Sequence, residues 1–138
     1  IPSEVIELRK KFNLKGMAVL QFGFDSNTTN NPHHPPNIKS DQVVYTGTHD
    51  NNTTQGWWDS LDSDVQNNIV SDFLNPDEEP LNGLIRIAKE SSANMAIFPL
   101  QDLLGLGEDA RMNTPGTSSD NWKWKTNWEN IEKLSNNI

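Results

Sequence analysis

The chain has 138 residues, 33% of them hydrophobic, which is the length of one ordinary domain with enough apolar sequence to build a core. Eleven basic against nineteen acidic residues give a formal charge of −8, which repels nucleic-acid phosphates and anionic membrane surfaces. The absence of cysteine excludes disulfides and thiolate metal sites and fits a cytoplasmic protein, and no apolar run approaches the ~20 residues of a membrane span.

Pro2 and Ser3 open a predicted helix in which Val5, Leu8 and Phe12 share a face and Glu7 and Lys11 are spaced to pair, with Gly16 as its end. The only basic cluster, Arg9-Lys10-Lys11, lies on this helix. The sequence starts inside this unit, so the chain is expected to be a fragment of a longer protein. Met17 to Phe22, "MAVLQF", is nearly all apolar and reads as a strand buried on both faces. The polar run "GFDSNTTNNPHHPPNIKSD" follows, and its prolines and asparagines predict a long loop. "QVVYT" is a second buried strand. After the "GTHDNN" loop the pattern is helical from Thr53 through Phe73, with Val65, Ile69 and Phe73 on one face. "EPLNGLIRIAKESSAN" predicts another helix and "MAIFPL" a third apolar strand. Strands alternating with helices argue for a parallel sheet whose ligand-binding edge lies where strands hand over to loops.

That rule turns position into candidate sites. Phe22, His49 with Asp50, and Gln101 with Asp102 each fall just past a predicted strand, so neighbouring strands would gather them on one rim. Three strands alone leave their edges bare, so a larger sheet or closed barrel is expected.

For His49-Asp50 the local alternative is helix capping, with Asn51 or Asn52 at the start of the helix near Thr53. His33, His34, His49 and Asp50 are also legitimate ligands for a divalent ion, but no second carboxylate-rich motif supplies the rest of a metal site, and none is assigned. Five tryptophans fall in two groups. Core packing suits Trp57, Trp58 and Trp128, whereas Trp122 and Trp124 sit in a late loop, and an indole face matches the C–H face of a sugar ring. The stretch from Gln101 to Lys125 reads as a long ordered loop of the kind that carries function on a rigid sheet. In it, Arg111 suits an anchor for backbone carbonyls, and Asn113 offers both donor and acceptor to a pair of sugar hydroxyls.

Four segments, "GMAVLQFGF", "NPHHPPN", "VVYTGTHDNNTTQGWW" and "FPLQDLLGLGEDARMNTPGTSSDNWKWK", together resemble, in order and spacing, the 4-alpha-glucanotransferases called amylomaltases or disproportionating enzymes. The resemblance implies an α/β fold, a (β/α)8 TIM-type barrel, with residues 1–138 as the C-terminal part of the catalytic barrel, about its last three βα units. It implies cofactor-free, retaining transfer of a 1,4-α-D-glucan segment to the 4-position of glucose or another glucan. The implied partners are maltooligosaccharides and α-1,4-glucans, with no nucleic acid and no membrane. Carried onto this chain, Asp50 matches the aspartate that stabilises the transition state, His49 the neighbour that bonds the same sugar, Phe22 an aromatic lining the glucan groove, and Asn113 a polar substrate contact. The family's nucleophile and acid/base match nothing here and are expected upstream of Ile1, so the fragment alone is expected to be inactive. Two positions depart from the pattern: Asn52 stands where the family usually has aspartate, and Lys125 where it has arginine, losing planar bidentate bonding. Two rival classes are a non-catalytic carbohydrate-binding module and a metal-dependent hydrolase.

Overall fold

The computed structural model describes residues 2–25 and 28–135. Helix α1 spans Ser3–Lys11, and the chain leaves it through Asn13 in the left-handed region at φ 52°. The predicted apolar face is not a buried one: Val5, Leu8 and Phe12 are all more than half exposed. Nor do Glu7 and Lys11 pair; the ion pair of this helix is made by Arg9, whose guanidinium meets the Asp41 carboxylate at 2.6 Å and donates to the carbonyls of Leu14 and Asp41. Gly16 is the first residue of the next strand rather than the helix end. A side chain there would collide with the Arg9 guanidinium, its Cβ falling 2.7 Å from Nη1.

Strands β1 (Gly16–Val19), β2 (Gln42–Tyr45) and β3 (Met95–Ile97) form a parallel sheet in the order β1-β2-β3, with Ala18, Val44 and Ala96 in register. β1 is shorter than predicted because Leu20–Phe22 turn into a 3-10 helix. Among the described residues the crossover from β1 to β2 carries no α-helix, only the 3-10 turns at Leu20–Phe22 and Pro35–Asn37, so the alternation of strands and helices begins after β2.

The expected helix from Thr53 to Phe73 is two helices, α2 (Thr54–Asp59) and α3 (Ser63–Phe73). The break follows from the capture of α2's last carbonyls: Ser60 Oγ donates to Trp57 O, and Gln66 Nε2 to Trp58 O. α4 (Pro80–Glu90) begins on a proline, which lacks the amide a first turn cannot satisfy, and buries Gly83, Leu84, Ile87 and Ala88. α5 (Leu100–Leu103) and α6 (Trp128–Ser135) are the remaining α-helices among the described residues.

The core joins the Ala18 and Val44 side of the sheet to Leu20, Ile38 and α4, with Trp57, Trp58 and Phe73 packed against it. Burial on both faces, expected of the first strand, holds only at its C-terminal end, where Ala18 and Val19 face opposite ways and are both buried. Side chains alternate along a strand, so Met17, Val43 and Met95 point away from the helices, and Met17 and Met95 are both more than half exposed. No helix among the described residues is long and apolar enough to cross a membrane.

Candidate functional site

β2 delivers its loop to the rim through Thr46, which is fully buried, and Gly47, where a Cβ would meet the Gln21 carboxamide at 2.5 Å. That carboxamide belongs to the exit of β1 and donates to the Asn52 carbonyl, coupling the two strand ends. The loop then folds on itself. Asn51 Oδ1 accepts from Thr48 N at 2.9 Å and Thr48 Oγ1 at 2.7 Å, while Asn51 N donates to the Thr48 carbonyl. The cap of α2 is Thr53, whose hydroxyl accepts from Gly56 N. Asn51 and Asn52 are not caps, contrary to the local alternative: Asn51 closes the turn, and Asn52 Oδ1 accepts from the Thr53 amide.

Asp50 is thus free of any capping duty. Its side chain is 52% exposed, and Oδ1 accepts from Asn113 Nδ2 at 2.6 Å with His49 Nε2 at 3.3 Å. Arg111 holds the two loops together, Nη2 donating to the Asp50 carbonyl and Nε to the Asn113 carbonyl, which is the anchoring role its sequence position suggested. His49, Asp50 and Asn113 are therefore brought together.

His49 carries a second contact. Trp122 sets its ring 5.1 Å from the imidazole, and to do so its backbone sits at φ 60°, a conformation that costs a bulky residue on the order of 1–3 kcal/mol. Its amide is satisfied by the Met112 carbonyl at 2.7 Å. No sequence signal marked this residue as strained, since glycine, the usual tenant of such a position, is absent there. Between the loops after β2 and β3 lies a cleft of about 240 Å³, whose walls include the amides Asn51, Asn52 and Gln101 and the apolar faces of Pro99, Met112, Trp122 and Trp124. Amide groups beside indole faces suit a ligand with hydroxyls on its edge and C–H groups on its face.

Phe22 lies at the β1 exit, half exposed, and is held by the "NPHH" segment. Asn31 Nδ2 donates to the Phe22 carbonyl at 2.6 Å, His34 Nδ1 to the Gly23 carbonyl, and the His33 ring meets Phe22 edge-on at 5.7 Å. His33 Nδ1 accepts from Val19 N, and burial lowers its pKa against the opposing pull of Asp25. Both histidines are thereby engaged with backbone, and no group of three His, Asp or Glu side chains able to hold a metal occurs among the described residues.

Two expectations change. Asp102 is not on the rim surface: it is 1% exposed and accepts from Thr46 Oγ1, Thr54 N and Thr54 Oγ1 at 2.6 to 2.8 Å. Trp128 is not core, being 76% exposed, whereas Trp57 and Trp58 do pack against the core. The aliphatic neighbours Leu100, Leu103 and Leu104 were the signal for Asp102's burial.

Comparison with known proteins bears on what this rim serves. The family model described as 4-alpha-glucanotransferase matches residues 1–131. The 4-alpha-glucanotransferase of Synechocystis is 49% identical over 91% of this chain and 25% of its own length, and the potato (Solanum tuberosum) protein named 4-alpha-glucanotransferase, chloroplastic/amyloplastic, 47% identical over 96% and 24%. Among solved structures, the amylomaltase of Streptococcus agalactiae in complex with acarbose superposes with a TM-score of 0.89 at 28% identity, covering 98% of this chain and 28% of that one. The chain spans about a quarter of the length of the curated relatives it matches. With a match that runs almost end to end, the chain belongs to the 4-alpha-glucanotransferase family.

Proposed function

We propose that the whole protein transfers segments of a 1,4-α-D-glucan to the 4-position of a glucose or glucan acceptor with retention, and that residues 1–138 form the C-terminal part of its catalytic (β/α)8 barrel. The observation that carries the reading is Asp50 itself: a half-exposed carboxylate past the C-terminal end of a parallel strand, oriented by Asn113 and His49 beside a cleft of amides and indoles. The apolar face of the sheet turned away from the helices, open at Met17 and Met95, supports the barrel, because closure would turn Met17, Val43 and Met95 into a layer of its interior.

Retaining transfer uses two carboxyl groups about 5 to 5.5 Å apart, one attacking the anomeric carbon and one protonating the leaving oxygen, then deprotonating the acceptor hydroxyl. Both would come from parts of the protein beyond these residues. Asp50 has the third role. As the donor ring flattens toward an oxocarbenium ion, hydrogen bonds from its hydroxyls to the Asp50 carboxylate strengthen, and an interaction stronger in the transition state than in the ground state lowers the barrier. His49 would bond the same sugar, its ring fixed by Trp122. Asn113 would both contact substrate and hold Asp50, and Phe22 would shield the acceptor side from water.

The test is maltotriose disproportionation by the full-length protein, with Asp50→Asn as the control. Longer and shorter maltooligosaccharides should form, and the substitution should abolish most of that activity. Binding of maltooligosaccharide without turnover would replace the transferase with a carbohydrate-binding module.

A further inference from the structure

We infer that Asp102 is a positioning residue for Asp50, a buried carboxylate that locks both ends of the loop on which Asp50 rides. The inference rests on the reading of Asp50 given above. Thr46 is the first residue past β2 and Thr54 the first of α2, so they bracket the loop, and Asp102 binds both. Its Oδ2 accepts the two hydroxyls, at 2.6 Å from Thr46 and 2.7 Å from Thr54, while Oδ1 accepts the Thr54 amide at 2.8 Å. All three residues are at most 1% exposed.

A carboxylate in such a place is an expensive way to fill space, since desolvating it is offset only by well-aligned donors. What it provides that an apolar side chain cannot is direction: three short, charge-assisted bonds fix the two loop ends to a third point. That point lies in the next βα unit and is itself held, Asp102 N donating to the Pro99 carbonyl and Gly105 N to the Asp102 carbonyl. The Asn51 to Thr48 turn sets the shape of the loop, and the clamp sets where that shape stands relative to β3's exit, from which Arg111 and Asn113 reach Asp50. Gln21 Nε2, 3.4 Å from Thr54 Oγ1, extends the network to β1.

The experiment uses the full-length protein and maltotriose. Asp102→Ala should lower kcat by ~10² and Thr46→Val, which removes one of the three bonds, by ~10-fold, with KM within about twofold of the parent. Thr46→Ser keeps the hydroxyl and should retain parental kcat, and the two Thr46 variants carry the test if Asp102→Ala fails to fold. The deciding arm is the Asp50→Asn background, where Thr46→Val should add less than about twofold because its effect runs through Asp50. A full ~10-fold loss in that background would make the clamp a general structural element and overturn the inference. Should the parent not disproportionate maltotriose, the functional reading fails separately. Amide hydrogen exchange over residues 47–53 then decides: ~10-fold faster exchange in Thr46→Val than in Thr46→Ser sustains the clamp, and equal exchange sinks it.

Discussion

Asp50 stands five residues past the end of β2 and Asp102 five residues past the end of β3, yet the first has a side chain 52% exposed and the second is 1% exposed. The distance past a strand fixes a residue's height on the rim but not the direction its side chain takes. Donors and flanks decide that. Asp50 leaves a self-closed polar turn and receives its bond from the side, from Asn113, with His49 Nε2 3.3 Å away, so that its carboxylate remains accessible. Asp102 lies on a short helix among leucines and receives three donors from beneath the neighbouring loop, which leaves it no access to a ligand. One region presents a charge and the other consumes it.

The sharpest way to break this contrast is Asp50→Asn in the full-length protein. Size and most bonding capacity survive while the charge is lost, so kcat should fall by ~10² or more with KM little changed. Asparagine caps helices as well as aspartate does, and a capping Asp50 would therefore leave the mutant near parental activity. The cap is Thr53, so near-parental activity is not expected, and finding it would remove Asp50 from catalysis. Steady-state kinetics with maltotriose decides it.

Asn113→Ala tests the lateral support. Because Asn113 Nδ2 bonds the Asp50 carboxylate at 2.6 Å, the loss should appear as a kcat lower by ~10-fold together with a raised KM. A change in KM alone would reduce Asn113 to a substrate contact. Phe22→Ala should act differently again, raising the ratio of hydrolysis to transfer severalfold by admitting water, with glucose release measured against oligosaccharide formation.

His33 supplies a pH test of the same turn. Its pKa is lowered in the folded state, so the native protein binds fewer protons there than the unfolded chain does. Its contribution is complete above the ordinary value of 6.5 and is lost as pH falls below it, when Nδ1 gains a proton and can no longer accept from Val19 N. Melting temperature followed from pH 7.5 to 5 should fall less steeply in His33→Asn, whose side-chain oxygen can accept that amide without titrating. Parallel slopes would show that the acid sensitivity does not run through His33.

Much of this was legible in the sequence. Three strands, their rim, Asp50 beside His49 and the anchoring role of Arg111 followed from apolar runs, turn residues and the spacing of polar groups past each strand. The break between α2 and α3 was not, because Ser60 and Gln66 end α2 through side-chain bonds to carbonyls of Trp57 and Trp58, which leave the hydrophobic period intact. Nor was the open face of the sheet, since Met17 and Met95 are as apolar as a core residue whether or not anything covers them. Trp122 was noticed as an aromatic in a loop, while its left-handed backbone and its contact with His49 are properties of the fold alone.

The smallest expected effect comes from a carboxylate that makes no bond to the Asp50 loop, and it separates bond donors from catalysis. Glu78 accepts from Arg86 Nε and Nη2 and from the Asn75 amide, and these bonds, the guanidinium first, hold its pKa down from 4.5 to about 2. A depressed carboxylate contributes stability that is complete above 4.5 and is lost as pH falls toward about 2, so only its pH dependence is confined to the acid range. Glu78→Gln should therefore lower the melting temperature by ~2 °C at pH 6 and make the acid limb below pH 4.5 shallower, while kcat and KM stay parental. Like Asp102, Glu78 is held by several donors, but it binds no residue that brackets the Asp50 loop. If Glu78→Gln nonetheless lowered kcat as Thr46→Val is expected to, a multiply bonded carboxylate anywhere in the fold would tune the rim, and the special place given to the clamp at Thr46 and Thr54 would be lost.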